Sequence, residues 1–109
     1  MAHILVAGLI NVETTLRIDG FPLDYSPQHF PFFGVRTTVS GVGYNVASAL
    51  TALGNEVHLL SMIGDDLPGQ MIRAQLAQNH IGSPHVLDSM TQTPQSVIVY
   101  DPTGRRSGF

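Results

Sequence analysis

Asn11 and Glu13 stand two residues apart, and the run Ser40-Gly41-Val42-Gly43-Tyr44-Asn45 follows farther along the chain. Side chains at i and i+2 point the same way from extended backbone. Together with Asn45, whose amide donates and accepts, they could bind the vicinal hydroxyls of a sugar. The same spacing also fits an ordinary solvated loop. The glycine run has three readings. Gly41-Val42-Gly43 partly fits the dinucleotide fingerprint G-x-G-x-x-G, but Val46 stands where the third glycine belongs, and a dinucleotide loop usually follows the first strand. A second reading gives the glycines to chain reversal alone. A third makes them a polar-ligand site: glycines let a ligand approach backbone, a helix start offers unpaired N–H groups, and Asn45 adds an amide.

The other candidate groups carry less chemistry. Gly64-Asp65-Asp66-Leu67-Pro68-Gly69 reads as a strand-to-helix turn with a capping Asp, since adjacent Asp side chains commonly diverge and make a poor metal pair. The histidines, at 3, 29, 58, 80 and 85, show no i, i+3 or i+4 pairing of the kind zinc sites use. Arg105 and Arg106 follow a turn and read as solvated charge.

These residues need elements to position them. His3 to Gly8 is an apolar run that predicts a buried strand, and Asn11 and Glu13 follow its C-terminal end, where open α/β sheets bind ligands. Thr14 to Ile18 alternates as a half-exposed strand. Asp19 to Gly34, with Pro22, Pro27 and Pro31 among its aromatics, predicts an ordered surface excursion. Val35 to Val39 reads as a strand. A helix follows over Tyr44 to Leu53, with Val46, Ala49, Leu50 and Leu53 on its apolar face and Gly54 at its left-handed end. Val57 to Ile63 is a second buried strand. A second helix opens at Asp65-Asp66-Leu67-Pro68, buries Met71, Ile72, Leu76 and Ala77, and stops at Gly82. Val86-Leu87 and Ser96 to Tyr100 read as strands, Asp101-Pro102-Thr103-Gly104 as a turn, and Arg105 to Phe109 as the start of a return strand. This order predicts an α/β fold with a parallel core.

Composition narrows the function classes. The chain has 109 residues, 43% hydrophobic and 12% charged, which suits one globular domain with a modest core. A net charge of −3 gives no reason to expect nucleic acid or an acidic membrane surface as partner. All five cationic residues are Arg, so a Walker-type phosphate lysine, a Schiff-base lysine and a lysine general base are excluded from this chain. With no cysteine there is no disulfide or thiolate chemistry, which suits a cytoplasmic setting. The opening MAHILVAGLINVE reads as a first strand and not a signal peptide, and no run approaches the ~20 apolar residues of a membrane helix. A return strand reaching only Phe109 suggests the N-terminal part of a longer protein.

Four blocks in order carry a resemblance: ILVAGLINVE, SGVGYNVASALTALG, LLSMIGDDLPG and TPQSVIVYDPTGRR. Together they resemble the N-terminal part of the PfkB, or ribokinase-like, carbohydrate kinase family, over nearly the whole chain. The resemblance implies a ribokinase-like, Rossmann-type three-layer α/β sandwich with a small β lid, the lid coming from about 14–39 and 96–109. It implies an ATP-dependent kinase acting on a hydroxyl of a sugar or nucleoside, with residues 1–109 supplying the substrate-binding portion. Asn11, Glu13, Gly41, Gly43 and Asn45 become substrate-binding candidates, with Tyr100 on the lid strand a weaker one. The general base and the ATP and Mg²⁺ sites are expected outside this chain, no G-A-G-D-like string occurs in it, and by itself it is expected to transfer nothing. The family usually has Asp where Glu13 stands and often two adjacent glycines where this chain reads Ser40-Gly41, which leaves the sugar's identity open. The resemblance also allows a homodimer formed through the lid. The alternative is a non-catalytic sugar or nucleoside sensor on the same scaffold.

Overall fold

The structure, a computed structural model, describes residues 1–109. Its elements in chain order are β1 (His3–Ala7), β2 (Asn11–Arg17), β3 (Val35–Ser40), α1 (Val42–Ala52), β4 (Glu56–Gly64), α2 (Leu67–Gln78), β5 (Val86–Met90), β6 (Gln95–Tyr100) and β7 (Arg106–Gly108). They form two compact units: residues 1–12 with 39–95, and residues 13–38 with 96–109.

The first unit is built on a parallel sheet in the order β1-β4-β5. The register sets His3 beside Glu56, Leu5 beside His58 and Ala7 beside Leu60, then Ser61 beside Val86. Side chains alternate across a strand, so Val57, Leu59 and Ile63 share one face of β4. That face meets Ala47 of α1 and Ile72 and Leu76 of α2 in one core, with Ile10, Val12, Tyr44, Ile81 and Val86. The opposite face keeps Leu5, Leu60, Met62 and Leu87 exposed.

The helix ends follow local chemistry, with three departures from the sequence reading. Asp66 caps α2 by accepting from the Gly69 amide at 2.9 Å, and Pro68 sits in the first turn, where its missing N–H costs nothing. Gly54, at φ 93°, follows the end of α1, and its amide donates to Thr51. Gly82, however, does not stop α2. The helix ends at Gln78, and His80 takes the left-handed position at φ 58° while the Ile81 amide closes on the Leu76 carbonyl. Gly82 instead lies under the His58 ring, where a Cβ would collide with the imidazole. The second departure is the face of α1. Gly43, Tyr44 and Ala47 are buried, while Val46, Ala49 and Leu53 are exposed and only Leu50 packs partly on the core. The third is the face of α2: Ile72 and Leu76 are buried as expected, but Met71 and Ala77 are exposed, and Gly69 takes a place on the buried side.

In the second unit, strands run in the order β3-β2-β6-β7. β6 and β7 pair antiparallel, with Tyr100 opposite Arg106. The Asp101 carboxylate organises their turn: it accepts from the Thr103 amide, the Thr103 hydroxyl and the Arg105 amide, and Gly104 supplies the positive φ of 89°. The 19–34 excursion is closed by the Arg17 amide donating to Gly34 at 2.9 Å. Phe21 is half-buried beneath the Arg105 guanidinium, 5.7 Å from its ring centroid, whereas Tyr25, Phe30, Phe32 and Phe33 are exposed.

Candidate functional site

The glycine turn is fastened to the end of the first strand by backbone. The Leu9 carbonyl accepts from the Gly43 amide at 2.9 Å and the Tyr44 amide at 3.3 Å, and the Asn45 amide donates to Gly41 at 2.9 Å. A Cβ on Gly43 would sit 2.6 Å from the Gly8 carbonyl carbon, and one on Gly8 would sit 2.9 Å from Gly43 Cα. Gly41, at φ 106°, presses on the Leu9 carbonyl and the Ile10 Cα. This corrects the reason given for the glycines from sequence. They admit the neighbouring backbone of residues 8–10, and the amides of Gly43 and Tyr44 are spent on Leu9 rather than left for a ligand.

Two of the expected polar groups flank this backbone contact. Asn11 opens β2 immediately after the fully buried Ile10, against which Gly41 rests. Asn11 is half-buried, with its Oδ1 shielded from solvent, and Asn45 in the first turn of α1 is exposed. Asn11, Gly41, Gly43 and Asn45 therefore lie in one unit, at the end of the sheet where β1 finishes. That is where parallel sheets place their ligands. Glu13 and Tyr100 belong to the second unit, both half-buried, and the Tyr100 carbonyl accepts from the Ile18 amide at 2.8 Å. Glu13 lies within β2, which begins earlier than sequence alone indicated.

The Asp pair is taken up by structure. The Asp66 carboxylate, besides capping α2, accepts from the Thr93 hydroxyl and from the Thr93 amide at 2.9 Å. Thr93, itself buried, also bridges to the Gly64 amide at 2.9 Å. Donation from the Thr93 hydroxyl, then from its amide, holds the Asp66 carboxyl below its ordinary pKa, against desolvation that acts the other way. The Asp101 carboxyl is lowered in the same manner, first by the Thr103 hydroxyl. Sequence reasoning missed two groups near the site. Tyr44 buries its ring in the core and its hydroxyl accepts from Asn79 Nδ2 at 2.6 Å. Thr93 carried no signal beyond standing before Pro94. A shallow cavity of about 290 Å³ lies at the other end of the sheet, lined by His3, Ile4, Leu5, Glu56, His58 and His85.

The sequence matches the pfkB family carbohydrate kinase profile over residues 1–108. The chain belongs to the pfkB family of carbohydrate kinases. Within this family it resembles the Escherichia coli (strain K12) protein named uncharacterized sugar kinase YeiI, at 39% identity over 71 residues, 64% of this chain and 18% of that protein. Among solved structures it superposes on the microbiome-derived acarbose kinase Mak1 with a TM-score of 0.81 and 26% identity, covering 99% of this chain and 35% of that one. The Methanocaldococcus jannaschii nucleoside kinase, a ribokinase family member, gives a TM-score of 0.80 at 22% identity over 100% of this chain and 36% of that one. Arabidopsis thaliana ribokinase, complexed with ribose and ATP, gives 0.76 at 20% identity over 96% of this chain and 34% of that one. The fold is thus that of ribokinase-like pfkB kinases, and the chain spans about a third of the length of the structures it matches.

Proposed function

We propose that this chain is the N-terminal, substrate-binding portion of an ATP-dependent kinase that phosphorylates a hydroxyl of a sugar or nucleoside. The observation that carries the reading is the backbone fastening of the 41–45 turn to residues 8–10, which sets Asn11 and Asn45 at one end of the parallel sheet. The exposed Asn45 amide offers a donor and an acceptor to a substrate hydroxyl, Asn11 is assigned beside it, and a rigid seat holds the turn in place without reorganisation. Glu13 and Tyr100 are assigned to the same substrate through the family resemblance. In this reading residues 14–39 and 96–109 form the lid, which excludes water so that ATP is not hydrolysed.

The ATP and Mg²⁺ sites are assigned outside this chain. This chain has no lysine for a Walker-type phosphate contact. When bound, the nucleotide supplies the phosphoryl group; the residues of this chain bind and orient the acceptor hydroxyl. The protein acts in the cytoplasm on this reading, and the exposed aromatics of residues 21–33 are the surface for a homodimer formed through the lid.

The matched relatives are named for acarbose, nucleosides and ribose, so a test must span that range. The complete protein, incubated with ATP and Mg²⁺ and a panel of monosaccharides, oligosaccharides and nucleosides, is expected to consume ATP and yield a phosphorylated product with at least one. Binding of a sugar without transfer would favour the sensor reading. Neither binding nor transfer across the panel would contradict the proposal.

A further inference from the structure

Tyr44 stands between the two residues that matter for the turn: Gly43, which packs on Gly8, and Asn45, which faces solvent. Gly41 and Gly43 carry no side chain that could fix the rotation of this first turn. The backbone of the turn is fastened to residues 8–10 by the Leu9 carbonyl and by the close approach of Gly43 to Gly8. The Tyr44 side chain adds an anchor away from that seam, toward the end of α2. Its ring is 7% exposed and packs in the core with Ile10 and Val12, and its hydroxyl accepts from Asn79 Nδ2 at 2.6 Å.

Asn79 is itself held. It is the C-cap residue of α2, its amide donates to the Gln75 carbonyl at 3.1 Å, and the far end of α2 is pinned by Asp66 and Thr93. A chain of fixed contacts therefore runs from the end of α2 through the phenol to the residue preceding Asn45. The phenol's polar end is not needed to fill space: phenylalanine would occupy the same volume. A hydrogen bond at the tip of a buried ring restricts direction more than it adds burial.

We propose that Tyr44 is a positioning residue for substrate: with Asn79 it sets the rotation of the first turn of α1 and hence the direction in which Asn45 presents its amide. This rests on the reading of Asn45 as a hydroxyl ligand. The test uses the complete kinase and the acceptor found in the substrate screen. Steady-state kinetics and Tm are measured for Tyr44→Phe, Asn79→Ala, the double variant, and Asn45→Ala as a control on the site itself. The two single variants are expected to raise the acceptor KM about fivefold, with kcat and the ATP KM within about twofold. The double variant should be no worse than either single, because both remove one interaction. If Asn45→Ala raises the acceptor KM while Tyr44→Phe leaves it unchanged, whatever happens to Tm, the positioning role is overturned and the site stands. Additive effects in the double variant would also overturn it, since the two side chains would then act separately. Unchanged acceptor KM in all four variants would overturn both the role and the site.

Discussion

Gly43 has no room for a single added carbon. Its Cβ would meet the Gly8 carbonyl carbon and Cα at 2.6 and 2.8 Å, and those are backbone atoms that cannot swing away. Gly43→Ala is therefore expected to destabilise the protein by about 2–3 kcal/mol, read by urea denaturation, through a forced separation of the turn from residue 8. Gly54→Ala is a contrasting control, because nothing lies near its Cβ and only its positive φ opposes the change. The Asp66–Thr93 pair makes a different statement. The folded-state pKa of Asp66 is lowered, so its contribution is fully present above the unfolded value of about 4 and is lost as pH falls through the folded value. Thr93→Val removes the largest cause of that lowering. The variant should be less stable at pH 7, and its stability should decline less steeply below about pH 5, as followed by thermal melts across pH. A parallel acid limb in both proteins would contradict the assignment.

At the scale of elements, the turn that closes α2 holds one residue in a costly backbone conformation. His80 holds φ 58°, a region that costs side-chain-bearing residues and that glycine enters freely. His80→Gly is expected to raise stability by about 0.5–1 kcal/mol, measured by denaturation, with no change in the burial of Ile81. The sequence pointed to Gly82 for this duty because glycine is the commoner stop, and local pattern does not reveal that the His58 ring needs Gly82's empty side. The strands and the Asp66 cap were legible, since apolar runs and a capping Asp with a following proline act within a few residues. The face of α1 was not. Its sequence carries two apolar stripes, one through Val46, Ala49 and Leu53 and another through Tyr44, Ala47 and Leu50. The pairing of Gly8 with Gly43 decides between them, and that contact joins residues far apart in the chain. The candidate site was legible only in part for the same reason. Asn11, the glycine pair and Asn45 stood out as residue types, while the backbone contact that unites them, and the Tyr44–Asn79 bond behind them, depend on tertiary packing.

At the scale of the molecule, the first unit buries one face of its sheet and leaves the other open. Leu5 is 57% exposed and Met62 54%, on strands whose apolar runs suit a parallel sheet covered on both sides. The 109-residue chain expressed alone should bind a hydrophobic dye and self-associate, and Met62→Lys should reduce both; a chain that binds no dye would contradict the open face. The family assignment stands on the match over residues 1–108, and the account of function stands on how the turn is seated. The most direct test is a crystal structure of the complete protein with its acceptor sugar or nucleoside bound. The account predicts ligand hydroxyls within hydrogen-bond distance of both the Asn11 and Asn45 side chains, with the Leu9 carbonyl still bonded to the amides of Gly43 and Tyr44. An acceptor bound elsewhere, or one that touches neither asparagine, would contradict it.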